Sequence, residues 1–291
     1  MSIKGRTLDV GGLEFNVLVE GEGADVLLVH GFPDSNSVWR NQIPALVEAG
    51  YRVIAPDLRG FGESPAPPST ADYKIDKFVA DLIGILDAVG ARTVRLVGHD
   101  WGAAVGWQIC IQHPERIDRY AAIAVGHPSA YAHGGVVQRL KAYYILFFQI
   151  PGLSEKAVSA ANWWLWRQML RYDAEMPSWK RDLSRPGRLT AAINIYRANL
   201  NLILPKQWPK VTVPVMGVWG KHDVALAERQ MIESWRYVTG PWRYEQVEGG
   251  THWTQLERPK ETNQLLLDFL ADGPPDQPVR QVVEEEASHE G

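Results

Sequence analysis

Cysteine is almost absent from this sequence, because Cys110 is the single one among 291 residues. One thiol cannot form an internal disulfide, so we expect a reducing compartment. No stretch approaches the roughly 20 consecutive apolar residues of a membrane-spanning helix. Residues 1–10 also lack the apolar run of a signal peptide. We therefore predict a cytoplasmic protein that has no membrane as its partner.

An excess of positive charge is also missing. The formal net charge is −4, and this excess lies entirely in the proline-rich and then acidic tail, residues 273–291. The rest of the chain carries equal numbers of acidic and basic residues, which argues against a nucleic acid as partner. The composition of the tail predicts that it is disordered.

Patterns that bind metals or nucleotides are absent as well. His113, His127 and His133 have no metal-ligand spacing with acidic residues or with Cys110, and we expect them at the surface. The segment DLRGFGES, residues 57–64, contains glycines but matches neither phosphate-loop pattern, so its expected role is structural. The sequence therefore predicts no metal and no organic cofactor.

What the sequence does contain is an alternation of strand-like and helix-like segments. The first two strand-like runs are separated by Gly11 and Gly12, as in a hairpin. The predicted strands cover 6–10, 13–22, 25–31, 52–57, 93–100, 118–126, 211–220 and 242–249, and the predicted helices cover 37–50, 75–90, 102–114, 226–238 and 262–271. This pattern is typical of an α/β fold with a mostly parallel sheet and helices on both faces.

The alternation is interrupted once, after the sixth predicted strand. Residues 128–208 are helical in pattern and rich in aromatic residues. Open α/β sheets bind ligands at the carboxyl ends of their strands, so we expect this insertion to form a helical cap there. The predicted organisation is a core in two parts, 1–127 and 209–272, with the cap between them and the tail after them.

The segment GHDWG, residues 98–102, matches a tight strand-to-helix turn in which small residues flank a nucleophile. Asp100 stands where such turns usually carry serine. A free aspartate titrates near pH 3.9, so this side chain is already ionised at neutral pH and needs no base to attack. The alternative is that Asp100 only caps the following helix.

Two more polar residues follow predicted strands. Asp223 follows the strand 211–220, and His252 follows the strand 242–249. The chain order nucleophile, acid, histidine is that of α/β-hydrolases, and a carboxylate orients an imidazole by accepting its N–H. The alternatives are His222 in the place of Asp223, and a His252 that is a surface loop residue.

An oxyanion hole is expected from two backbone N–H groups beside the turn. One belongs to Phe32, in the loop HGFP after the strand 25–31, and the other to Trp101, directly after the nucleophile. They would stabilise negative charge on a carbonyl oxygen. The alternative is that the loop is an ordinary turn.

Four segments together resemble the α/β-hydrolase-fold epoxide hydrolases: HGFPDS, DLRGFGES, GHDWGA and THWTQLERP. The resemblance covers essentially residues 10–270 and implies the α/β-hydrolase fold. Haloalkane and fluoroacetate dehalogenases resemble these enzymes and share the nucleophilic aspartate. The turn around Asp100 alone therefore does not distinguish an epoxide from a halide substrate.

The resemblance also implies two cap tyrosines that hold the epoxide oxygen. The segment YILFFQIPG gives Tyr144 for the first, with Tyr143 as a competitor, and the segment YRAN gives Tyr196 for the second. On one continuous helix, Leu140, Tyr144 and Phe148 would share a face. The alternative for both tyrosines is plain core packing.

The dehalogenase features are mostly missing. Phe32 stands where one large group of haloalkane dehalogenases has asparagine, and Trp101 and Ala104 stand where fluoroacetate dehalogenases have arginines. The indole of Trp101 and the cap residues Trp163 and Trp164 keep a haloalkane dehalogenase as the second hypothesis.

These residues predict an enzyme that converts an apolar epoxide to a vicinal diol. Asp100 would form an alkyl ester, and water activated by His252 and Asp223 would hydrolyse it. The expected partners are the epoxide and water, and the expected state is a monomer or homodimer. The alternative from a different functional class is a binding module that has the same pocket but no catalytic activity.

Overall fold

The computed structural model describes residues 5–204 and 206–271, so the predicted tail lies outside the described residues. One eight-stranded sheet dominates this part of the chain. The strands are β1 (Arg6–Val10), β2 (Leu13–Glu20), β3 (Ala24–Val29), β4 (Tyr51–Pro56), β5 (Val94–His99), β6 (Ile117–Ile123), β7 (Val215–Gly220) and β8 (Trp242–Val247). The helices are α1 (Gln42–Glu48), α2 (Ile75–Ala88), α3 (Trp101–Gln112), α4 (Pro128–Ala132), α5 (Gly135–Lys141), α6 (Tyr143–Phe148), α7 (Leu153–Leu170), α8 (Met176–Leu183), α9 (Arg188–Ala198), α10 (Arg229–Ile232), α11 (Thr254–Glu257) and α12 (Pro259–Leu270).

The sheet is mostly parallel, as the sequence pattern predicts. Its strand order is β1-β2-β4-β3-β5-β6-β7-β8, and β2 pairs antiparallel with both β1 and β4 while the other pairs are parallel. Every residue of β5 and β7 is buried. Successive side chains of a strand point to opposite faces, so both faces of these strands are covered. Helices α2 and α3 pack together, as do α1 and α12.

Helices α4 to α9 lie between β6 and β7, where the insertion was predicted. We call Pro128–Ala198 the helical segment. Its Phe148 and Trp166 rings lie 6.0 and 5.3 Å from the ring of Phe32, which follows β3. The helical segment therefore covers the carboxyl end of the sheet. The domain boundaries at 127/128, 208/209 and 272/273 stay predictions.

Two predicted helices are shorter or more broken than expected, and one predicted helix face is not formed. Residues 37–50 form a 3₁₀ turn, Asn36–Trp39, followed by α1, and residues 226–238 form the four-residue α10 followed by a 3₁₀ turn. The predicted shared face of Leu140, Tyr144 and Phe148 is wrong, because α5 and α6 are separate helices that meet at Ala142. Leu140 is consequently 70% exposed while Phe148 is buried.

Among the described residues, no helix combines the length and the apolar character needed to cross a membrane.

Candidate active site

Asp100 sits at the sharp turn between β5 and α3. Its φ of 52° and ψ of −121° lie outside the usual regions for a residue with a side chain. The flanking glycines allow the turn to be this tight: a Cβ on Gly102 would lie 2.1 Å from the carbonyl oxygen of Val29, and one on Gly98 would lie 2.6 Å from the carbonyl oxygen of Gly102. The Asp100 side chain makes no helix-capping hydrogen bond. It is held away from α3 and toward the helical segment.

His252 lies between two carboxylates. Its Nδ1 is 2.7 Å from Oδ2 of Asp223, and its Nε2 is 3.4 Å from Oδ2 of Asp100. The other oxygen of Asp223 accepts hydrogen bonds from the N–H groups of Ala225 and Leu226, at 2.7 and 2.9 Å. The structure therefore brings the predicted nucleophile, histidine and acid together, and His252 is buried rather than on the surface. The rival His222 is exposed.

These contacts shift the pKa values of the buried groups. Burial lowers the pKa of His252, but the charges of Asp223 and Asp100 and hydrogen bonds to them outweigh it and raise this pKa to about 10. Burial alone would raise the pKa of Asp100. His252 and the Phe32 N–H outweigh this effect and lower the pKa below its usual value. At neutral pH the resting site therefore holds an ionised Asp100 next to a protonated His252.

The loop after β3 supplies one of the two expected oxyanion donors. The N–H of Phe32 donates to Oδ1 of Asp100 at 2.8 Å. A Cβ on Gly31 would lie 2.5 Å from Cβ of Asp100, so glycine is needed for this close approach. The second predicted donor, Trp101, is the first residue of α3, where N–H groups have no partner within the helix.

The segment 57–64 supports this loop. Nε2 of His30 accepts a hydrogen bond from the Leu58 N–H at 2.9 Å, and Nδ1 of His30 lies 2.9 Å from the carbonyl oxygen of Gly31. Asp57 in turn accepts from the N–H groups of Asn36 and Glu63. The segment thus has the structural role that its sequence predicts.

Tyr144 and Tyr196 face Asp100 from the helical segment. Tyr144 lies on α6 and Tyr196 on α9, and their ring centroids are 5.7 Å apart. The competitor Tyr143 is 62% exposed. Burial raises the pKa of both Tyr144 and Tyr196 well above the usual value for a phenol. Both hydroxyls therefore stay protonated and are able to donate hydrogen bonds.

Two cavities meet at Asp100, Tyr144 and Tyr196. The outer cavity has a volume of about 340 Å³ and is lined by aromatic and aliphatic side chains that include Trp166 and Trp253. The inner cavity is smaller, about 70 Å³. Trp164, a candidate pocket residue from the sequence, is instead 60% exposed.

Sequence reasoning gave no role to Asp34, although it lies within the segment HGFPDS. Its two carboxylate oxygens accept hydrogen bonds from the indole N–H groups of Trp179 and Trp253, at 2.8 and 2.9 Å. Oδ2 of Asp34 also lies 3.9 Å from Nδ1 of His99, whose Nε2 is 2.9 Å from the carbonyl oxygen of His252. The sequence offered one signal for Asp34, because it is an acidic residue directly after the loop that is predicted to supply an oxyanion donor.

The surface placement expected for His127 is wrong. Its ring is buried and stacks on Tyr237 at 4.9 Å, and it lies 3.1 Å from the carbonyl oxygen of Pro209. Burial lowers its pKa to about 4. His127 is thus a neutral packing residue.

Comparison with known proteins places the chain in a family. A model described as alpha/beta hydrolase fold matches residues 26–259. The chain is 32% identical to epoxide hydrolase A of Mycobacterium tuberculosis, over 91% of this chain and 96% of that protein. It is 34% identical to epoxide hydrolase 4 of Mus musculus, over 89% of this chain and 77% of that protein.

Solved structures agree with these relatives. The crystal structure of epoxide hydrolase A from Mycobacterium thermoresistibile matches with a TM-score of 0.79 and 29% identity, over 92% of this chain and 98% of that chain. The fold described above is consistent with this match. The chain therefore belongs to the α/β-hydrolase fold family and, within it, to the epoxide hydrolases.

Proposed function

We propose that this protein hydrolyses an apolar epoxide to a vicinal diol through an alkyl ester on Asp100. The observation that carries the proposal is the position of two protonated tyrosines, Tyr144 and Tyr196, in the same cavities as an ionised aspartate. The relatives named as epoxide hydrolases support it independently. The outer cavity, lined mainly by apolar side chains, favours an apolar substrate.

In the first step, Oδ2 of Asp100 attacks one ring carbon of the epoxide. Oδ1 is the oxygen that accepts the Phe32 N–H, so the nucleophile is Oδ2, which lies 3.4 Å from Nε2 of His252. The carbon–oxygen bond of the ring breaks as the new bond forms. The departing oxygen is an alkoxide, a poor leaving group, and it takes a proton or hydrogen bond from Tyr144 and Tyr196.

The second step begins with a change of charge. Once Asp100 is an ester, its negative charge no longer stabilises the protonated form of His252, whose pKa then falls. Neutral His252, oriented by Asp223, takes a proton from water. The water oxygen attacks the ester carbonyl carbon. The oxyanion forms on Oδ1 next to the N–H groups of Phe32 and Trp101. As it collapses, the bond from the carbonyl carbon to Oδ2 breaks, and Oδ2 leaves in the diol with the proton held by His252. The new carboxyl group of Asp100 then gives its proton to His252, which restores the resting site.

The haloalkane dehalogenase hypothesis has less support. A halide leaves without a proton donor, so it gives no reason for two buried phenols beside Asp100. The Trp101 side chain, which could donate to a halide, packs edge-to-face against Tyr196, and the two ring centroids are 5.1 Å apart. The donor that a halide would use therefore lies against a tyrosine that an epoxide needs.

A parallel assay tests the proposal. The wild type and Asp100→Ala are incubated with styrene oxide and with 1-bromobutane, and diol and bromide are quantified. We expect diol from styrene oxide with the wild type only, and little bromide from either variant. Bromide release that is faster than diol formation would instead favour the dehalogenase. Binding without turnover of any epoxide or bromoalkane would favour a binding module.

A further inference from the structure

The inner cavity lies along one side of α3, directly beyond the nucleophile. Trp101, Ala104 and Gln108 all line it, and residues spaced by three, four and seven lie on one face of a helix. Trp101 and Gln108 are separated by about 10 Å along the helix axis, at roughly 1.5 Å per residue. The Cα–Cβ bonds of a helix tilt toward its N-terminus, so the Gln108 side chain leaves α3 in the direction of Asp100.

The two cavities have different sizes. An apolar cavity of about 150 Å³ is known to hold a benzene ring. The inner cavity, at about 70 Å³, is too small for such a ring, whereas the outer cavity, at about 340 Å³, is large enough. A substrate that spans Asp100 must therefore place its bulky substituent in the outer cavity and a short chain in the inner one.

Gln108 is a polar residue in the lining of the inner cavity. It is 1% exposed, and its Nε2 has no hydrogen-bond partner within the described part of the chain. Its Oε1 accepts a hydrogen bond from Nε2 of Gln112 at 3.4 Å, which leaves the amide N–H groups as the free donors. A buried donor without a partner costs free energy, and an acceptor on a bound ligand removes that cost.

We propose that Gln108 is a specificity-determining residue that recognises a hydrogen-bond acceptor, such as an ether or carbonyl oxygen, on the short substituent of the substrate. The inference rests on the proposed function, because it concerns the same site. It defines the substrate class as an epoxide with a bulky apolar group on one ring carbon and a short, oxygen-bearing chain on the other.

The test compares substrates of equal shape. The first pair is trans-2-(methoxymethyl)-3-phenyloxirane and trans-2-propyl-3-phenyloxirane, and a second pair, methoxyethyl and butyl, moves the oxygen by one atom. One net hydrogen bond corresponds to about a 5- to 10-fold higher kcat/KM for the ether in at least one pair. Gln108→Leu should hydrolyse both members of that pair equally well, and Gln108→Met repeats the test with a side chain of similar length.

Gln264→Leu is the control. Gln264 is exposed on α12 and is not among the residues that line either cavity, so this variant should keep the ether preference. A wild type that does not prefer the ether in either pair would overturn the inference, as would a preference that persists in both Gln108 variants.

Binding separates this inference from the proposed function. The diols that correspond to each pair are titrated against the wild type and the Gln108 variants, with tryptophan fluorescence as the readout. If no epoxide is hydrolysed, the proposed function fails, but the ratio of the diol dissociation constants still tests Gln108. Equal dissociation constants for ether and hydrocarbon diols would then contradict the role of Gln108.

Discussion

Nε2 of His252 lies 3.4 Å from Oδ2 of Asp100. The imidazole thus contacts the proposed nucleophile with one nitrogen, while its other nitrogen contacts a second carboxylate, Asp223. Burial opposes the protonation of His252, but the two negative charges raise its pKa to about 10. A histidine with this pKa is protonated at neutral pH. It can therefore act as a base only after one of the two neighbouring carboxylates has lost its negative charge. Alkylation of Asp100 would remove that charge.

This relationship predicts different pH profiles for the two chemical steps. Ester formation should be level between about pH 5 and pH 9, because the pKa of Asp100 is lowered from 3.8 and those of both tyrosines are raised well above 10. Ester hydrolysis needs neutral His252, so its rate should rise with pH. It should level off below pH 10, since the ester lacks the charge that raised this pKa.

Single-turnover stopped-flow measurements separate the two steps. The Trp101 indole lies beside the site and should report the ester as a change in fluorescence. The scheme would be contradicted if the rate of ester formation rose with pH over the range in which His252 titrates. His252 would then be acting as a base in the first step.

Replacing His252 by glutamine should stop the reaction at the ester. Glutamine cannot take a proton from water, and general-base catalysis contributes about 10²- to 10⁴-fold. Intact mass spectrometry after addition of styrene oxide should find His252→Gln heavier by one substrate mass. His222→Gln is the control, because His222 is exposed beside Asp223, and it should turn over normally with an unmodified mass. An unmodified His252→Gln would exclude the ester route.

The two tyrosines should act on the first step. Tyr144→Phe and Tyr196→Phe each remove one donor for the departing oxygen, and loss of one such donor costs about 10²-fold in rate. The rate of ester formation should fall by this factor in each variant and further in the double variant. Tyr143→Phe, at a residue 62% exposed, is the matched control and should keep the wild-type rate. Equal rates in all these variants would mean that the phenols do not assist ring opening.

The sheet and the turn at Asp100 are predictable from sequence for local reasons. Buried strands appear as short β-branched runs, and the turn needs glycine at positions 98 and 102, where a Cβ would meet backbone atoms. The positions of Asp223 and His252 follow from the same pattern, because each comes directly after a predicted strand. Local patterns are therefore sufficient for the residues that the sheet itself positions.

The helical segment is less predictable because its geometry depends on long-range packing. The break at Ala142 between α5 and α6 is marked by neither glycine nor proline, so periodicity alone predicted a continuous helix. The hydrogen bond from Trp179 to Asp34 joins residues 145 positions apart, and no local signal connects them. The same holds for His127, which is buried by contact with Tyr237.

Asp34 is predicted to make stability depend on pH. Its carboxylate is buried between the indoles of Trp179 and Trp253, and burial raises its pKa from 3.8 to about 7, although the two N–H donors act in the opposite direction. The folded protein thus binds this proton more tightly than the unfolded chain. The resulting contribution to the free energy of unfolding is fully present below about pH 4 and is lost as the pH rises to about 7. A shift of roughly three units corresponds to about 4 kcal/mol.

Asp34→Asn isolates this contribution, since asparagine does not titrate. One amide oxygen replaces two acceptors, so one indole N–H loses its partner and the variant should be less stable than the wild type at pH 5. The stability difference should shrink by about 3 kcal/mol when urea unfolding is repeated at about pH 8, because only the part of the ~4 kcal/mol that lies above pH 5 is lost over this range. The exposed Glu14→Gln serves as control and should show a small difference at both pH values. A difference for Asp34→Asn that does not change with pH would show that the buried carboxyl group keeps the same charge throughout this range.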